Sequence, residues 1–384
     1  MPSAVKNYRL FDAGDGSTLV LNWSPNTEPD VIGYNIYIGN STGIYDSTYN
    51  SPDTVYTIDG LIEGTTYYIG VSALDNEGNE SVIVERNLTP LLLPLPPSGF
   101  TAYPQWHKVE QNWNLNQELD LLGYNIYRSE IKGELGDLQN SSIQTDTIYV
   151  DNDAANGMYY YYTVKAVDEQ LNESENNTIL RSRVVSLDQG VLIVDETTDG
   201  DGSPMNPTDE QVDDFYYDLF SNFNIHEYDL IEEGSIGLAD LGAYSSVIWH
   251  GNDTEDMNAP FDSKKSIQEY LDYGGNFLYT GYRPSYAFEK AGLQGLFGPG
   301  DFIYDYLKIS ESLSTIFALF IGAIEMELGY GSIFVDSAKT LQSNQYHLKR
   351  IETIEASSLG TTVYKFETMF DSTSNQGSLK GKSV

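Results

Sequence analysis

The chain has 384 residues, of which 40% are hydrophobic and 13% aromatic, so it can bury about two or three domain cores and is not a disordered chain. Its 57 acidic and 20 basic residues give a formal net charge of −37, which repels phosphate backbones and anionic lipid and argues against nucleic-acid and electrostatic membrane binding. Cysteine is absent, which excludes disulfides, thiolate metal sites and cysteine nucleophiles.

The first half of the chain consists of short segments with the alternation of β-strands. Residues 33–39 and 66–74 place apolar side chains at every second position, and turn-forming residues separate them. The block 23–37 recurs as block 113–127, with the same Trp and the same Gly-Tyr-Asn-Ile-Tyr ending. The offset of 90 residues is the size of a whole small β domain, so the sequence predicts two tandem sandwiches.

These motifs resemble fibronectin type III domains. The first repeat has the core Trp23, the Tyr-Asn-Ile-Tyr strand at 34–37 and the Leu-x-x-Gly-Thr-x-Tyr corner at 61–67. The second repeat has Trp113 and the same strand, while its corner is replaced by Asn-Gly. The resemblance implies sandwiches over residues 7–90 and 94–187, with the Trp and Tyr side chains in their cores. The four prolines of residues 89–99 predict a stiff, extended spacer between them.

After Gly190 the pattern changes to alternating strands and helices. The apolar run 191–194 predicts a strand buried on both faces, and a capping box at Thr208 and Gln211 begins a helix whose apolar stripe includes Phe215 and Leu219. Further strands are expected at 225–230, 246–249 and 276–280, and a helix capped by Asp262 is expected to end at Gly274-Gly275. This order predicts a parallel, doubly wound α/β domain over residues 190–384.

The third segment, above all residues 191–281, resembles flavodoxin-like domains related to class I glutamine amidotransferases, which occur in secreted bacterial multidomain proteins. The resemblance implies further sheet strands after residues 363–366 and 381–384, so we expect a truncated domain. Active relatives need a Cys at the turn that residues 280–284 occupy here, and no Gly-x-Ser-x-Gly elbow replaces it. We therefore predict no catalytic residue.

Ligands of open α/β sheets bind at the carboxyl ends of the strands, where three polar loops should meet. The predicted ligand-binding residues are Asp195, Glu196, His250, Asp253, Tyr282 and Arg283. Asp199 and Asp201 begin like a calcium loop, although the later ligand positions are missing, so calcium and an ordinary Asp/Gly loop are both open. No other cofactor is predicted.

The leading functional hypothesis is a non-catalytic module array on the cell surface or outside the cell, acting as a spacer and an interaction region. Its partners would be other protein domains or surface polymers, without nucleic acid and without a membrane-spanning segment, since no run of about 18 apolar residues occurs. The first residues lack the pattern of a signal peptide, so we expect the export signal elsewhere. Two alternatives remain: an accessory region of a larger secreted hydrolase, a protease or glycosidase with its active site outside this fragment, and a carbohydrate-binding adhesin using tyrosines 159–162.

Overall fold

A computed structural model describes most of the chain. The described residues are 1–118, 120–197, 208–251, 259–281, 283–315, 320–326, 329–334 and 351–368. Within these ranges, no helix is both long enough and apolar enough to cross a membrane. Three regions follow one another along the chain: two β-sandwiches, and then a region of mixed helices and strands.

The first sandwich packs a three-stranded sheet against a four-stranded sheet. Its strands are β1 Lys6–Asp12, β2 Leu19–Ser24, β3 Val31–Gly39, β4 Ser47–Ser51, β5 Val55–Ile58, β6 Tyr67–Asp75 and β7 Val84–Leu88. The sheet orders are β1-β2-β5 and β4-β3-β6-β7, and all of these pairs are antiparallel. Buried residues alternate along β2, as the sequence pattern requires of a strand with one face in the core.

The second sandwich repeats this arrangement with shorter outer strands. Its strands are β8 Thr101–Gln105, β9 Lys108–Asn112, β10 Leu121–Ser129, β11 Asp137–Leu138, β12 Ile148–Asp151, β13 Tyr160–Asp168 and β14 Leu180–Ser182. The sheet orders are β12-β9-β8 and β11-β10-β13-β14. The predicted pair of sandwiches is therefore present as two sheets in each repeat.

The repeated Trp and Tyr form the same contact in both sandwiches. Trp23 meets Tyr34 edge to face with ring centroids 5.1 Å apart, and Trp113 meets Tyr124 in the same way at 5.2 Å. All four rings are buried. The prediction that these residues belong to the cores is confirmed.

The proline-rich connection between the sandwiches is fastened to both of them. On the first side, Leu91 N donates to Asp12 Oδ2 over 2.8 Å and Leu93 N donates to the carbonyl of Gly14 over 3.0 Å. On the second side, Leu95 N donates to Glu118 Oε1 over 2.8 Å. The stiffness expected from the prolines is thus supplemented by hydrogen bonds to each neighbour.

The third region begins with a four-stranded parallel sheet. Its elements are β15 Val191–Asp195, α1 Asp209–Phe220, β16 Ile225–Asp229, α2 Leu238–Leu241, β17 Ser246–His250, α3 Ala259–Asp262, α4 Lys264–Asp272, β18 Asn276–Thr280 and α5 Pro284–Glu289. The strand order is β16-β15-β17-β18. All five residues of the central strand β15 are buried, as its continuous apolar run predicts.

The helix ends agree with the sequence only in part. The capping box is confirmed, because Gln211 N donates to Thr208 Oγ1 and Thr208 N donates to Gln211 Oε1. Gly274 follows α4 in a left-handed conformation with φ of 94°, which favours glycine. The prediction that Asp262 caps this helix is wrong, since Asp262 ends the short helix α3 and Ser263 precedes α4.

Beyond β18 the described strands are antiparallel, unlike the parallel sheet predicted to the end of the chain. These elements are β19 Gln294–Leu296, α6 Phe302–Asp305, β20 Ile309–Thr315, β21 Phe320–Glu325, β22 Ile333–Phe334, β23 Ile351–Ala356 and β24 Tyr364–Thr368. They form the sheets β19-β20-β23 and β22-β21-β24.

A buried polar junction joins the second sandwich to the third region. Arg183 is 3% exposed, and its Nε and Nη2 donate to the carbonyls of Ala239 and Asp240 over 2.9 and 2.7 Å. The Asp240 carboxylate accepts from Arg181 Nη2 and from Tyr159 Oη, each over 2.7 Å. Both guanidinium groups also lie over the Tyr159 ring. Both guanidinium groups and the Asp240 carboxylate are thus hydrogen-bonded, as burial of charge requires.

Removing the Arg183 donors should weaken this junction. Arg183→Met keeps most of the apolar stem and leaves two buried carbonyls without donors, which should cost about 2–4 kcal/mol of unfolding free energy. Urea unfolding followed by Trp fluorescence should then show the second sandwich and the third region melting in separate steps. Arg9→Met, at an exposed site of the first sandwich, is the control and should leave the curve unchanged. Identical curves for both variants would contradict a structural role of the junction.

Candidate functional site

The carboxyl ends of the parallel strands bring together several predicted site residues. Asp195 ends β15, His250 ends β17 and Thr280 ends β18, and the strand registers place them side by side in that order. Because all these strands run in the same direction, their last residues lie on one edge of the sheet. Helix α1, which follows β15 in the chain, reaches the same edge through Tyr216.

Two of the predicted residues share a cluster with a third residue that the sequence analysis did not select. Donor atoms of Asp195, Asp213 and His250 all lie within 4.8 Å of one another. The His250 Nδ1 atom lies 3.5 Å from Asp195 Oδ1. Asp195 Oδ1 also accepts from the backbone N and the Oγ1 of Thr197, over 2.7 and 2.8 Å. These bonds fix one oxygen of the Asp195 carboxylate in the cluster.

The imidazole of His250 is held by packing rather than by hydrogen bonds. It is 1% exposed, and Tyr216 stacks on it with centroids 4.6 Å apart and planes 7° from parallel. The Tyr216 hydroxyl lies 2.6 Å from Thr280 Oγ1, which fixes the stacking ring. Neither ring nitrogen of His250 has a hydrogen-bond partner among the described residues. Burial lowers the pKa of His250, although the nearby carboxylate of Asp195 opposes that change.

Asp213 reaches the cluster from α1. Burial and the nearby charge of Asp195 raise the pKa of Asp213 to about 7. Two carboxylates this close repel each other when both are ionised, and the repulsion is relieved by a proton or by a cation. The cluster can therefore exchange a proton near neutral pH or hold a positive ion.

Glu196 belongs to the other side of the strand end. Successive residues of a strand point to opposite faces, so Asp195 faces His250 while Glu196 faces the core residue Trp249. Trp249 Nε1 donates to Glu196 Oε2 over 2.9 Å. Burial raises the pKa of Glu196 to about 7 in spite of this hydrogen bond. Glu196 is thus a half-buried carboxyl group outside the Asp195 cluster.

Arg283 supports the loop after α5 through hydrogen bonds to its backbone carbonyls. The residue is 5% exposed and adopts a positive φ of 49° just before α5. Its Nη2 donates to the carbonyls of Ala291 and Gly292 over 3.2 and 2.8 Å, and its guanidinium lies over the Tyr286 ring. The other predicted site residues, Asp253 and Tyr282, and the possible calcium ligands Asp199 and Asp201 lie outside the described residues.

The sequence pattern of α1 points to its apolar residues and therefore does not identify Asp213. The helix exposes Phe215 and Leu219, at 59% and 55%, although both belong to the apolar stripe of the predicted helix. The face toward the sheet edge instead carries Asp213 and Tyr216, which are three positions apart and therefore neighbours on a helix. The sequence does contain one signal for this residue. Asp213 lies one turn before Tyr216 on the helix that follows the first strand of the sheet.

The tyrosines proposed for carbohydrate binding do not form an exposed platform. Tyr160 and Tyr162 are buried, and Tyr161 is half-buried on the intervening position of β13. Tyr159 lies in the Arg183 junction. These four rings therefore have structural partners or neighbours, which leaves little surface for stacking on a sugar.

Comparison with known proteins identifies the first sandwich. Residues 3–86 match the family model described as Fibronectin type III domain, and this region of the chain is such a domain. Amylopullulanase of Thermoanaerobacterium saccharolyticum is 34% identical over 125 residues, which are 32% of this chain and 9% of that protein. Amylopullulanase of Thermoanaerobacter thermohydrosulfuricus is 37% identical over 89 residues, which are 23% of this chain and 6% of that protein.

Two further similarities are weaker. The Kelch domain-containing protein SSO1033 of Saccharolobus solfataricus is 28% identical over 167 residues, 43% of this chain and 22% of that protein. The crystal structure of chicken CNTN1 FN1-FN3 domains aligns with 47% of this chain and 67% of that chain, at 13% identity and a TM-score of 0.36. The chain spans less than a quarter of the length of each of these curated relatives.

The raised pKa of Glu196 predicts a pH-dependent stability. Its carboxyl group binds its proton more tightly in the folded than in the unfolded chain, so the free energy of unfolding should fall as pH rises from about 4.5 to about 7. Glu196→Gln keeps an acceptor for Trp249 and removes this titration. At pH 8 the variant should be more stable than the parent by up to about 2 kcal/mol, and at pH 4.5 the two should be equal.

Urea unfolding at several pH values in EDTA-containing buffer measures this difference. Glu77→Gln, at an exposed loop position of the first sandwich, is the matched control and should follow the parent at every pH. Some pH dependence should remain in Glu196→Gln because Asp213 titrates in an overlapping range. A stability difference that is the same at pH 4.5 and pH 8 would refute the assignment to Glu196.

Proposed function

We propose that this chain is a non-catalytic accessory region of a larger secreted glycosidase, acting as a spacer and interaction arm beside a catalytic domain. The similarity to two amylopullulanases supports this choice among the alternatives. The matched segments are small parts of those proteins, 9% and 6% of their length, as expected of an accessory module. A segment of 89 to 125 residues has about the size of one sandwich module. The substrate class that follows for the catalytic domain is an α-glucan such as starch or pullulan.

The continuous hydrogen bonding between neighbouring modules carries the proposal. The connection after the first sandwich is bonded to Asp12 on one side and to Glu118 on the other. The second sandwich is bonded to the third region through Arg183 and Asp240. Interfaces of this kind restrict the relative motion that separate domains otherwise have. A spacer needs such restriction, because it must hold what lies at its two ends at a fixed distance.

The same proposal divides the chain into three modules. Residues 7–90 and 94–187 are two fibronectin type III-like sandwiches, and residues 190–384 form a flavodoxin-like, amidotransferase-like module. The order β16-β15-β17-β18 supports the last assignment, since it is the order 2-1-3-4 of flavodoxin-like sheets. The absence of Cys from the sequence argues against thiol hydrolysis in this module. Its role would be attachment or ligand binding, outside the cell or on its surface.

Deletion of this region from the parent protein tests the proposal. The coding sequence around this region should encode a glycosidase catalytic domain in the same reading frame. Removing residues 1–384 from that protein should leave turnover of soluble pullulan within about twofold and lower the activity on starch granules. A loss of activity on both substrates would place this region in the catalytic unit. A reading frame that encodes only further β modules would support an adhesive or structural array instead.

A further inference from the structure

We propose that Asp195, Asp213 and His250 bind a divalent transition-metal ion of the Zn²⁺ class at the carboxyl edge of the parallel sheet. This site goes beyond the accessory function proposed above and does not depend on it. It also differs from the calcium alternative that the sequence left open at Asp199 and Asp201.

The three ligands come from three different elements of the fold. Asp195 lies at the end of β15, Asp213 lies on α1 and His250 lies at the end of β17, and their donor atoms are all within 4.8 Å of one another. Ligand atoms at about 2.0–2.2 Å from one ion lie roughly 3–4 Å apart. Side-chain rotations that move these atoms by about 1 Å would therefore complete the coordination. Asp195 and His250 sit on adjacent strands in register, which fixes two of the three positions.

The buried imidazole is the observation that separates this cluster from an ordinary group of acids. His250 is 1% exposed, and neither of its ring nitrogens has a hydrogen-bond partner among the described residues. Leaving a buried polar group without a partner costs stability, and a bound ion is one physical explanation for such a group. The stacked Tyr216 ring fixes the plane of the imidazole, while Asp195 Oδ1 lies 3.5 Å from its Nδ1 atom. The imidazole therefore faces the carboxylates, and neither of its nitrogens is engaged in a hydrogen bond with a described residue.

The chemistry of the ligands selects the class of metal. Calcium and magnesium take oxygen ligands, whereas an imidazole nitrogen suits zinc, iron, nickel or copper. One imidazole and two carboxylates form a mixed nitrogen and oxygen set, for which Zn²⁺ is a suitable probe. Three protein ligands also leave one position of a tetrahedral ion for water or for an external ligand.

Metal binding at this place would attach helix α1 to the sheet. None of the residues of α1 is buried, and its apolar residues Phe215 and Leu219 are largely exposed. The described links between α1 and the strand ends are polar or aromatic contacts of Asp213 and Tyr216. An ion shared by α1, β15 and β17 would replace the repulsion between Asp195 and Asp213 by attraction, and so would stabilise the docked helix.

Zinc titration of the untagged chain, after chelation and dialysis, tests the site. Isothermal titration calorimetry should show one strongly bound Zn²⁺, and Co²⁺ should give the visible absorption of a low-symmetry site. His250→Gln should weaken zinc binding at least tenfold. His226→Gln is the matched control. His226 is exposed on β16, the strand beside β15, and should not coordinate this ion.

A second pair of variants separates metal binding from folding. Asp213→Asn should raise the melting temperature of the metal-free chain, because it removes the repulsion with Asp195, and should abolish the rise that Zn²⁺ produces in the parent. Asp214→Asn, at an exposed position of the same helix, should leave both effects unchanged. Circular dichroism checks that each variant is folded. An unchanged zinc affinity of the His250→Gln and Asp213→Asn variants would refute the site. Equal losses of zinc affinity in the control variants, or displacement of Zn²⁺ by millimolar Ca²⁺, would refute it as well.

Discussion

The buried carboxylate of Asp240 fixes the position of the parallel sheet relative to the rest of the chain. It accepts hydrogen bonds from Arg181, from Tyr159 and from the backbone N of Gly237. A buried carboxylate is tolerated only when its oxygens are bonded, and here the donors come from both sides of the module boundary. The segment between β14 and β15 is bonded at the same place, because Ser186 N and Leu187 N donate to the Gly242 carbonyl. Strand β15 therefore begins at a fixed point. The position of the cluster at its carboxyl end is fixed relative to the second sandwich as a result.

The sandwiches show how far a repeated sequence determines a repeated structure. Asp75 and Asp168 occupy equivalent loops, and each accepts bonds from backbone N atoms two and four residues later. Such bonds need only a short side chain and the next few residues, so a local motif is enough to specify them. The edge-to-face pairing of Trp and Tyr likewise joins residues that are only eleven positions apart in each repeat. These features could be predicted from the sequence because few distant residues take part in them.

The third region was less predictable because long-range contacts decide it. The strands at 191–194, 225–230, 246–249 and 276–280 followed from local apolar runs, and the structure contains all four. The face that α1 turns to the sheet did not follow, because its orientation depends on Tyr216 stacking on His250, thirty-four positions away. Helical periodicity identifies an apolar stripe but not the neighbour it meets. Asp213 and the antiparallel strands after β18 were missed for the same reason, since pairing partners far apart in the sequence define both.

The strand ends combine two environments that a simple spacer would not need. On one face, Glu196 is bonded to Trp249 at the margin of the core; on the other, Asp195, Asp213 and His250 form a polar cluster. In a chain with a net charge of −37, additional close carboxylates oppose folding, and a buried imidazole without a hydrogen bond adds to that cost. Local rules of stability are commonly broken where a protein binds something. Replacing a buried polar cluster by well-packed apolar residues is often neutral or stabilising, so a bound cation explains this cluster better than folding alone does.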